Sequence, residues 1–260
     1  MKTAIIASEQ DPAGMNIVEV LKAYDLGRVN AEIHVVKESI IHADGLDESI
    51  DVDLFVFASK HASKMGTPSF SCHVTGNFGK AEFGGKDKQL SVAPALLLKK
   101  MFIELFQQGK GKDYEITLEA THHGPLNSTP SMFIEIGSTE KEWIQEENGK
   151  IIASVIVNVL GTMSFLDAKE MDVVVGIGGG HYCPTFNKIQ LEKNIALGHI
   201  IPKYHLEHLK KEMILQAVER TLPRADYVIL DWKGLGKAKQ HVVSLLDELG
   251  IRYVRSDKIE

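Results

Sequence analysis

Residues 172–184 read DVVVGIGGGHYCP. Three valines and an isoleucine follow Asp172 with no polar residue among them to mark a wet face. This is the pattern of a strand buried on both sides, as in a sheet with layers packed above and below it. Three glycines then end the run and let the chain turn sharply into His181. Working outward, the same rhythm repeats. Upstream, 3–8, 32–37 and 54–59 read as strands, 12–24 as a helix, and 115–120 and 132–137 as strands of period two. Ser91 reads as a helix cap, with Pro94 in the first turn of a helix running to about residue 108. Ser138, Thr139 and Glu140 open further helical material that includes 151–160. Downstream, 205–220 reads as one helix with Leu206, Leu209, Met213 and Ala217 on a stripe, and 227–231 as a strand. A last helix places Val242, Leu245, Leu246 and Leu249 on one face, and 251–254 reads as a final strand. Strand and helix alternate throughout. The expectation is an α/β fold with a mostly parallel or mixed central sheet flanked by helices, forming one domain over 1–260. The exception is a Gly-, Lys- and His-rich stretch at about 60–90, read as a long loop with a functional role.

The bulk numbers exclude several classes. Hydrophobic residues are 44% and charged residues 25% of the 260, an ordinary globular balance. Two cysteines, Cys72 and Cys183, with no C-x-x-C pair argue against a disulfide framework and a Cys-rich zinc site. The N-terminus turns polar too soon for a signal peptide. No apolar stretch nears the roughly 18 residues of a membrane span. A soluble, cytoplasmic protein is expected. The net charge of −6 means that any nucleic acid must be met by a local basic patch. The 60–90 stretch offers one, with Lys60, Lys64, Lys80, Lys86 and Lys88 against Glu82 and Asp87.

Histidines carry the functional signal. His61, the pair His122 and His123, and His181 each stand just beyond a strand. In open α/β sheets ligands bind beyond the carboxyl ends of strands, so the three groups are expected to meet at one edge. Neutral imidazoles there can hold Zn²⁺ with a position open for water, which ionises near neutral pH when bound. Glu135, in an apolar strand, is the favoured proton acceptor or orienting carboxylate, ahead of Glu119 and Glu82. Gly179 and Gly180 could cradle a phosphate.

Simpler readings stand beside each of these. His122 and His123 would face opposite sides of a strand but not of a loop, and both could be turn residues bonded to carbonyls. His199, in the apolar run 196–201, reads equally as a ligand or a satisfied core residue. His205 and His208, three apart on a helix, could chelate a metal but read more simply as an exposed helix face, and Cys183 could ligate metal as thiolate but reads more simply as a buried thiol. Without G-x-S-x-G or H-E-x-x-H, a common serine hydrolase or zinc peptidase is not indicated.

The motifs THHGP (121–125), FIEIGSTEKEW (133–143) and GIGGGHYCP (176–184) resemble the archaeal and plant D-aminoacyl-tRNA deacylases. HVTGNFG (73–79), EFGG (82–85) and GHIIPKY (198–204) belong to the same pattern, so the resemblance covers the chain. It implies a fold related to the phosphorylase and peptidyl-tRNA hydrolase group, zinc dependence with one or two ions, and hydrolysis of the ester joining a D-amino acid to the 3′ end of tRNA. It carries over to His73, Asn77, His122, His123, Glu135, His181, His199 and Lys203. The expected assignment is then Glu135, His122 and His123 as catalytic residues. Lys60, His73, Asn77, Gly179, Gly180 and Lys203 bind substrate, and His61, His122, His123, His181 and His199 bind metal. The partner is the 3′ end of aminoacylated tRNA, the protein a monomer or small homo-oligomer. Rival readings are a metal-dependent hydrolase of a small ester, amide or nucleoside, and a non-catalytic RNA- or nucleotide-binding protein.

Overall fold

The computed structural model describes residues 1–163 and 171–259. The first part runs β1 (Thr3–Ser8), α1 (Pro12–Leu21), β2 (Ala31–Val36), β3 (Leu54–Ala62), β4 (Ser69–His73), β5 (Ala93–Pro94), α2 (Ala95–Gln108), β6 (Glu115–Leu118), β7 (Ser131–Ser138), α3 (Glu140–Trp143) and α4 (Glu146–Thr162). The second runs β8 (Asp172–Ile177), α5 (Pro184–Glu192), β9 (Ile195–Ile201), α6 (Lys211–Glu219), β10 (Thr221–Leu222), β11 (Tyr227–Leu230), α7 (Lys239–Leu249) and β12 (Tyr253–Arg255). Two main sheets form, one ordered β2-β1-β3-β7-β4-β6 and the other β12-β11-β8-β9, with β5 and β10 as a short separate pair. The second sheet is all parallel. The first is parallel except where β4 meets β7 antiparallel. The α/β expectation therefore holds in its mixed form.

Local chemistry explains the boundaries. Asp11 caps α1, accepting from the Gly14 amide at 2.9 Å, with Pro12 as its first residue. Thr139 and Glu142 close a capping box on α3. Gly250, at φ 64°, stops α7. Ser91, by contrast, is not a helix cap. Its hydroxyl accepts from Thr75 Oγ1 at 2.9 Å and donates to the Pro125 carbonyl at 3.0 Å, stitching two loops, while the helix begins beyond Pro94. The single helix read at 205–220 is also two pieces. A 3-10 turn, Lys203–His208, and α6 are separated by extended backbone at Leu209 and Lys210. The stripe Leu206, Leu209, Met213 and Ala217 is buried nonetheless, because the apolar face survives the break. The stretch at 60–90 is not structureless, since β3 runs on to Ala62 and β4 lies within it.

DVVVGI is β8, with Val174 in one core cluster and Val175 and Ile177 in another, so it is buried on both faces. The first sheet has two unlike faces. Val56, Ala58, Phe70, Cys72, Ile134 and Ile136 pack beneath α1, α2 and α4. The alternate residues of the same strands are Phe55, Phe57 and Phe133 together with polar groups: Ser59 and His61 on β3, Ser71 and His73 on β4, and Glu135 on β7. They are buried too, so that second face cannot be solvent.

Candidate active site

Glu135, in the middle of β7, is opposite Ser59 of β3 and Ser71 of β4. Because β4 runs against β7, His61 and His73 reach the rows on either side of Glu135 from opposite ends of the sheet. The histidines thus gather over a sheet face, not at the single edge that a fully parallel sheet would have provided. The chain beyond β6 then crosses to the second sheet. The amide of Ala120 donates to the His181 carbonyl at 2.8 Å and that of Thr121 to the Ile200 carbonyl at 3.0 Å. This seam brings Glu119, His122, His123 and His181 onto the face that carries His61, His73 and Glu135.

The paired histidines are turn residues bonded to backbone carbonyls. His122 Nδ1 is 2.8 Å from the Ala120 carbonyl and His123 Nδ1 is 2.5 Å from that of Gly124. His73 Nδ1 makes a similar bond to Val74 at 3.3 Å. With Nδ1–H spent on backbone, each ring has Nε2 left for a ligand. The φ of 42° at His123, in the left-handed region, lets neighbouring rings share a side. Their ring centroids are 4.2 Å apart, and His73 is 4.3 Å from His122 and 4.9 Å from His123. Gly124 is required here. A Cβ on it would stand 2.3 Å from the Gly85 amide nitrogen and 2.4 Å from the Ile41 carbonyl oxygen.

Glu119 is the residue that sequence ranking placed too low. Its side chain is fully buried, with His181 Nε2 at 2.8 Å, His61 Nδ1 at 3.1 Å and His122 Nε2 at 3.6 Å. None of these contacts has hydrogen-bond geometry, so both carboxylate oxygens are left without a hydrogen bond, as is His73 Nε2. Buried polar atoms are rarely left so. Three groups of donors each lie within 4.8 Å of one another: His73, His122 and His123; His61, Glu119 and His181; and His73, Glu119 and Glu135. This nitrogen and carboxylate set suits Zn²⁺.

Burial and neighbouring charges set the protonation of the cluster. Burial raises the pKa of Glu119, but His181 and His61 outweigh it and hold the carboxyl well below the usual range. Glu135 is likewise lowered, its burial overcome by His61 and His73. Burial opposes the proton on His61, yet Glu119 and Glu135 raise its pKa to about 11. Burial, with His73 nearby, pushes His123 down to about 4, and burial also drives His122 well below normal.

Two clefts meet at this cluster. The larger, about 950 Å³, and the smaller, about 400 Å³, share Phe83, His122, His123 and His181 in their walls. Lys60, His61 and Glu135 line the smaller, and Asp11 beside them accepts from the Lys60 amide at 3.0 Å, steadying the end of β3. Asn77 lines the larger, its amide tied to the Gly84 carbonyl at 2.9 Å. Other expected residues stand elsewhere. Lys203 is exposed, and its neighbours Tyr204 and His205 line the larger cleft, as does His208. Gly179 gives its carbonyl to the Lys203 amide and backs onto Asp231 and Gly234, and Gly180 has open space at its Cβ position. Cys183 is buried as expected, with its thiol pKa pushed up.

His199 does not join the cluster. Its Nδ1 is 3.2 Å from Thr121 Oγ1 and its Nε2 is 3.1 Å from the Ser91 carbonyl, which satisfies both nitrogens inside the core. Burial lowers its pKa from 6.5 to about 4. As pH falls, the unfolded chain therefore takes up this proton before the folded one does. Stability should be complete above pH 6.5 and drain away as pH falls towards 4, by up to about 3 kcal/mol from this group. His199→Gln should flatten that part of the profile of urea midpoint against pH. An unchanged slope would show that the residue does not titrate this way.

A family model described as D-aminoacyl-tRNA deacylase matches residues 48–254. Several curated D-aminoacyl-tRNA deacylases are similar over almost their full length. That of Thermococcus onnurineus is 38% identical over 96% of this chain and 98% of its own. That of Pyrococcus furiosus is 37% identical over the same shares, and that of Archaeoglobus fulgidus is 36% identical over 98% and 97%. A solved crystal structure, described as a conserved protein of unknown function, superposes with a TM-score of 0.90 at 34% identity, covering 99% of this chain and 96% of that one. The chain belongs to the D-aminoacyl-tRNA deacylase family.

Proposed function

We propose that this chain hydrolyses the ester between a D-amino acid and the 3′ end of tRNA at the histidine–carboxylate cluster. One or two Zn²⁺ ions are held there by His73, His122 and His123 and by His61, Glu119 and His181. The observation that carries the metal is the buried Glu119 carboxylate, which lacks any hydrogen bond while three imidazole nitrogens approach it within 3.6 Å. Zinc, when bound, supplies a Lewis acid that polarises a carbonyl and lowers the pKa of water towards about 7.

The protein's own groups do the rest. Glu135 lines the smaller cleft with its carboxyl held below the usual range, so at neutral pH it is ionised and can accept a proton from attacking water. The Ser71 hydroxyl donates to its Oε2 at 3.3 Å and fixes it. Tyr182 Oη sits 2.8 Å from His61 Nε2 and orients that ring with Nδ1 towards Glu119. The proton held on Glu135 then passes to the departing 3′-oxygen, which balances the hydrolysis. Among the described residues no helix is long and apolar enough to cross a membrane.

Purified protein assayed on paired D- and L-aminoacyl-tRNAs tests the reading. The D-ester alone should be cleaved, a chelator should stop the reaction, zinc should restore it, and mass spectrometry should find one or two zinc ions per chain. Full turnover by metal-stripped protein would overturn the metal assignment, and no cleavage of either ester with zinc present would overturn the substrate.

A further inference from the structure

The two clefts that meet at the cluster differ in chemistry as well as size. The smaller is walled by short polar side chains, among them Ser8, Gln10 and Ser59, together with Ile40 and Ile41. The larger is about 950 Å³, at the upper end of the roughly 300–1,000 Å³ usual for small-molecule pockets. It exceeds what an amino acid fills. Its wall carries an aromatic group and lysines. The Tyr204 and His205 rings are 4.8 Å apart, and Phe78 supports His205 from behind at 5.8 Å. Phe78 is only 6% exposed, a buried prop, whereas Tyr204 is 53% exposed and has a ring face free to be covered. Lys80, Lys88 and Lys210 line it, with Glu82 and Glu212 also in the wall.

Exposed rings bordered by ammonium groups are what an unpaired nucleotide needs, since bases stack on aromatic faces while lysines meet the phosphates. Resting on the deacylase reading above, we propose that the larger cleft seats the unpaired 3′-terminal nucleotides of tRNA. A base stacks on the Tyr204–His205 pair, and the backbone runs past Lys80, Lys88 and Lys210. The smaller cleft then receives the aminoacyl group, with the ester at the shared wall of His122, His123 and His181. Against the net charge of −6, the lysines of this cleft give a local positive excess over Glu82 and Glu212 where the phosphates would pass.

The test is direct binding of a fluorescently labelled CCA trinucleotide, read by anisotropy, which needs no turnover. Tyr204→Ala should weaken binding roughly five- to a hundredfold, the range for loss of one stacked base. Tyr204→Phe, which keeps the ring, should bind as the parent does. Equal affinity of the alanine variant, or an equal loss in the phenylalanine variant, would overturn the stacking subsite. The two readings fail separately. A protein that cleaves D-aminoacyl-tRNA but binds CCA independently of Tyr204 loses the subsite and keeps the activity. One that binds CCA through Tyr204 but cleaves neither ester keeps the subsite and loses the activity.

Discussion

Glu119→Gln should lower kcat/KM for D-aminoacyl-tRNA by at least about a hundredfold, the upper end of what loss of a ligand-orienting carboxylate costs. It should also reduce the zinc content of the purified protein. Glutamine keeps the shape but replaces an anion with a neutral amide, and that anion is what draws His61 Nδ1, His122 Nε2 and His181 Nε2 to within 3.6 Å. Without it, two of the three donor groups lose a member. Glu82→Gln, at an exposed position on the larger cleft, is the matched control and should leave zinc content unchanged. Normal zinc content and near-normal turnover in the Glu119 variant would remove the carboxylate from the centre.

The largest loss of stability is expected from Lys99→Met. Counted from the sequence alone, Lys99 follows the basic stretch and could have belonged to a surface patch. In the structure it is 4% exposed, and its ammonium donates to the carbonyls of Gln190, Lys193 and Ile195 at 2.8, 2.8 and 2.9 Å. Those carbonyls end α5 and begin β9, so one side chain of α2 ties down the turn that leads into β9. Methionine fills the space but leaves three carbonyls without this donor. The cost should be about 3–5 kcal/mol, the size seen when one partner of a buried charged network is removed. For a chain of this size that is a fall in Tm of roughly 6–20 °C. Calorimetry with less than about 1 kcal/mol lost would show that water or neighbouring donors replace the ammonium. Activity per folded molecule should survive, because Lys99 lines neither cleft.

What the sequence allowed, and where it misled, has one physical source: period and composition report which faces are apolar, not what covers the polar ones. DVVVGI was legible because both phases of the strand are apolar. Glu135 was legible because a charge among Phe133, Ile134 and Ile136 is out of place. Glu119 was not. It continues the polar phase of Glu115 and Thr117, which ordinarily faces water, and only the crossing to His181 and Ile200 buries it. His199 misled in the opposite direction, since an apolar run that contains a histidine gives no sign that Thr121 and Ser91 satisfy both ring nitrogens. β4 was missed because glycine and lysine around it hide a short strand whose partners, β6 and β7, lie far along the chain. His205 was masked by the expectation of one continuous helix from 205.

The seam between the two sheets bears on when the protein acquires its reactivity. His61, His73 and Glu119 all lie in the earlier part of the chain, but the wall closing over Glu119 is His181, and the stretch from Ala120 to Thr121 is pinned by carbonyls as far on as Ile200. A polypeptide still emerging from the ribosome, with its first sheet already paired, therefore has its ester-cleaving machinery open on one side. On the proposed assignment, ester cleavage among charged tRNAs is expected only after the second sheet has been made.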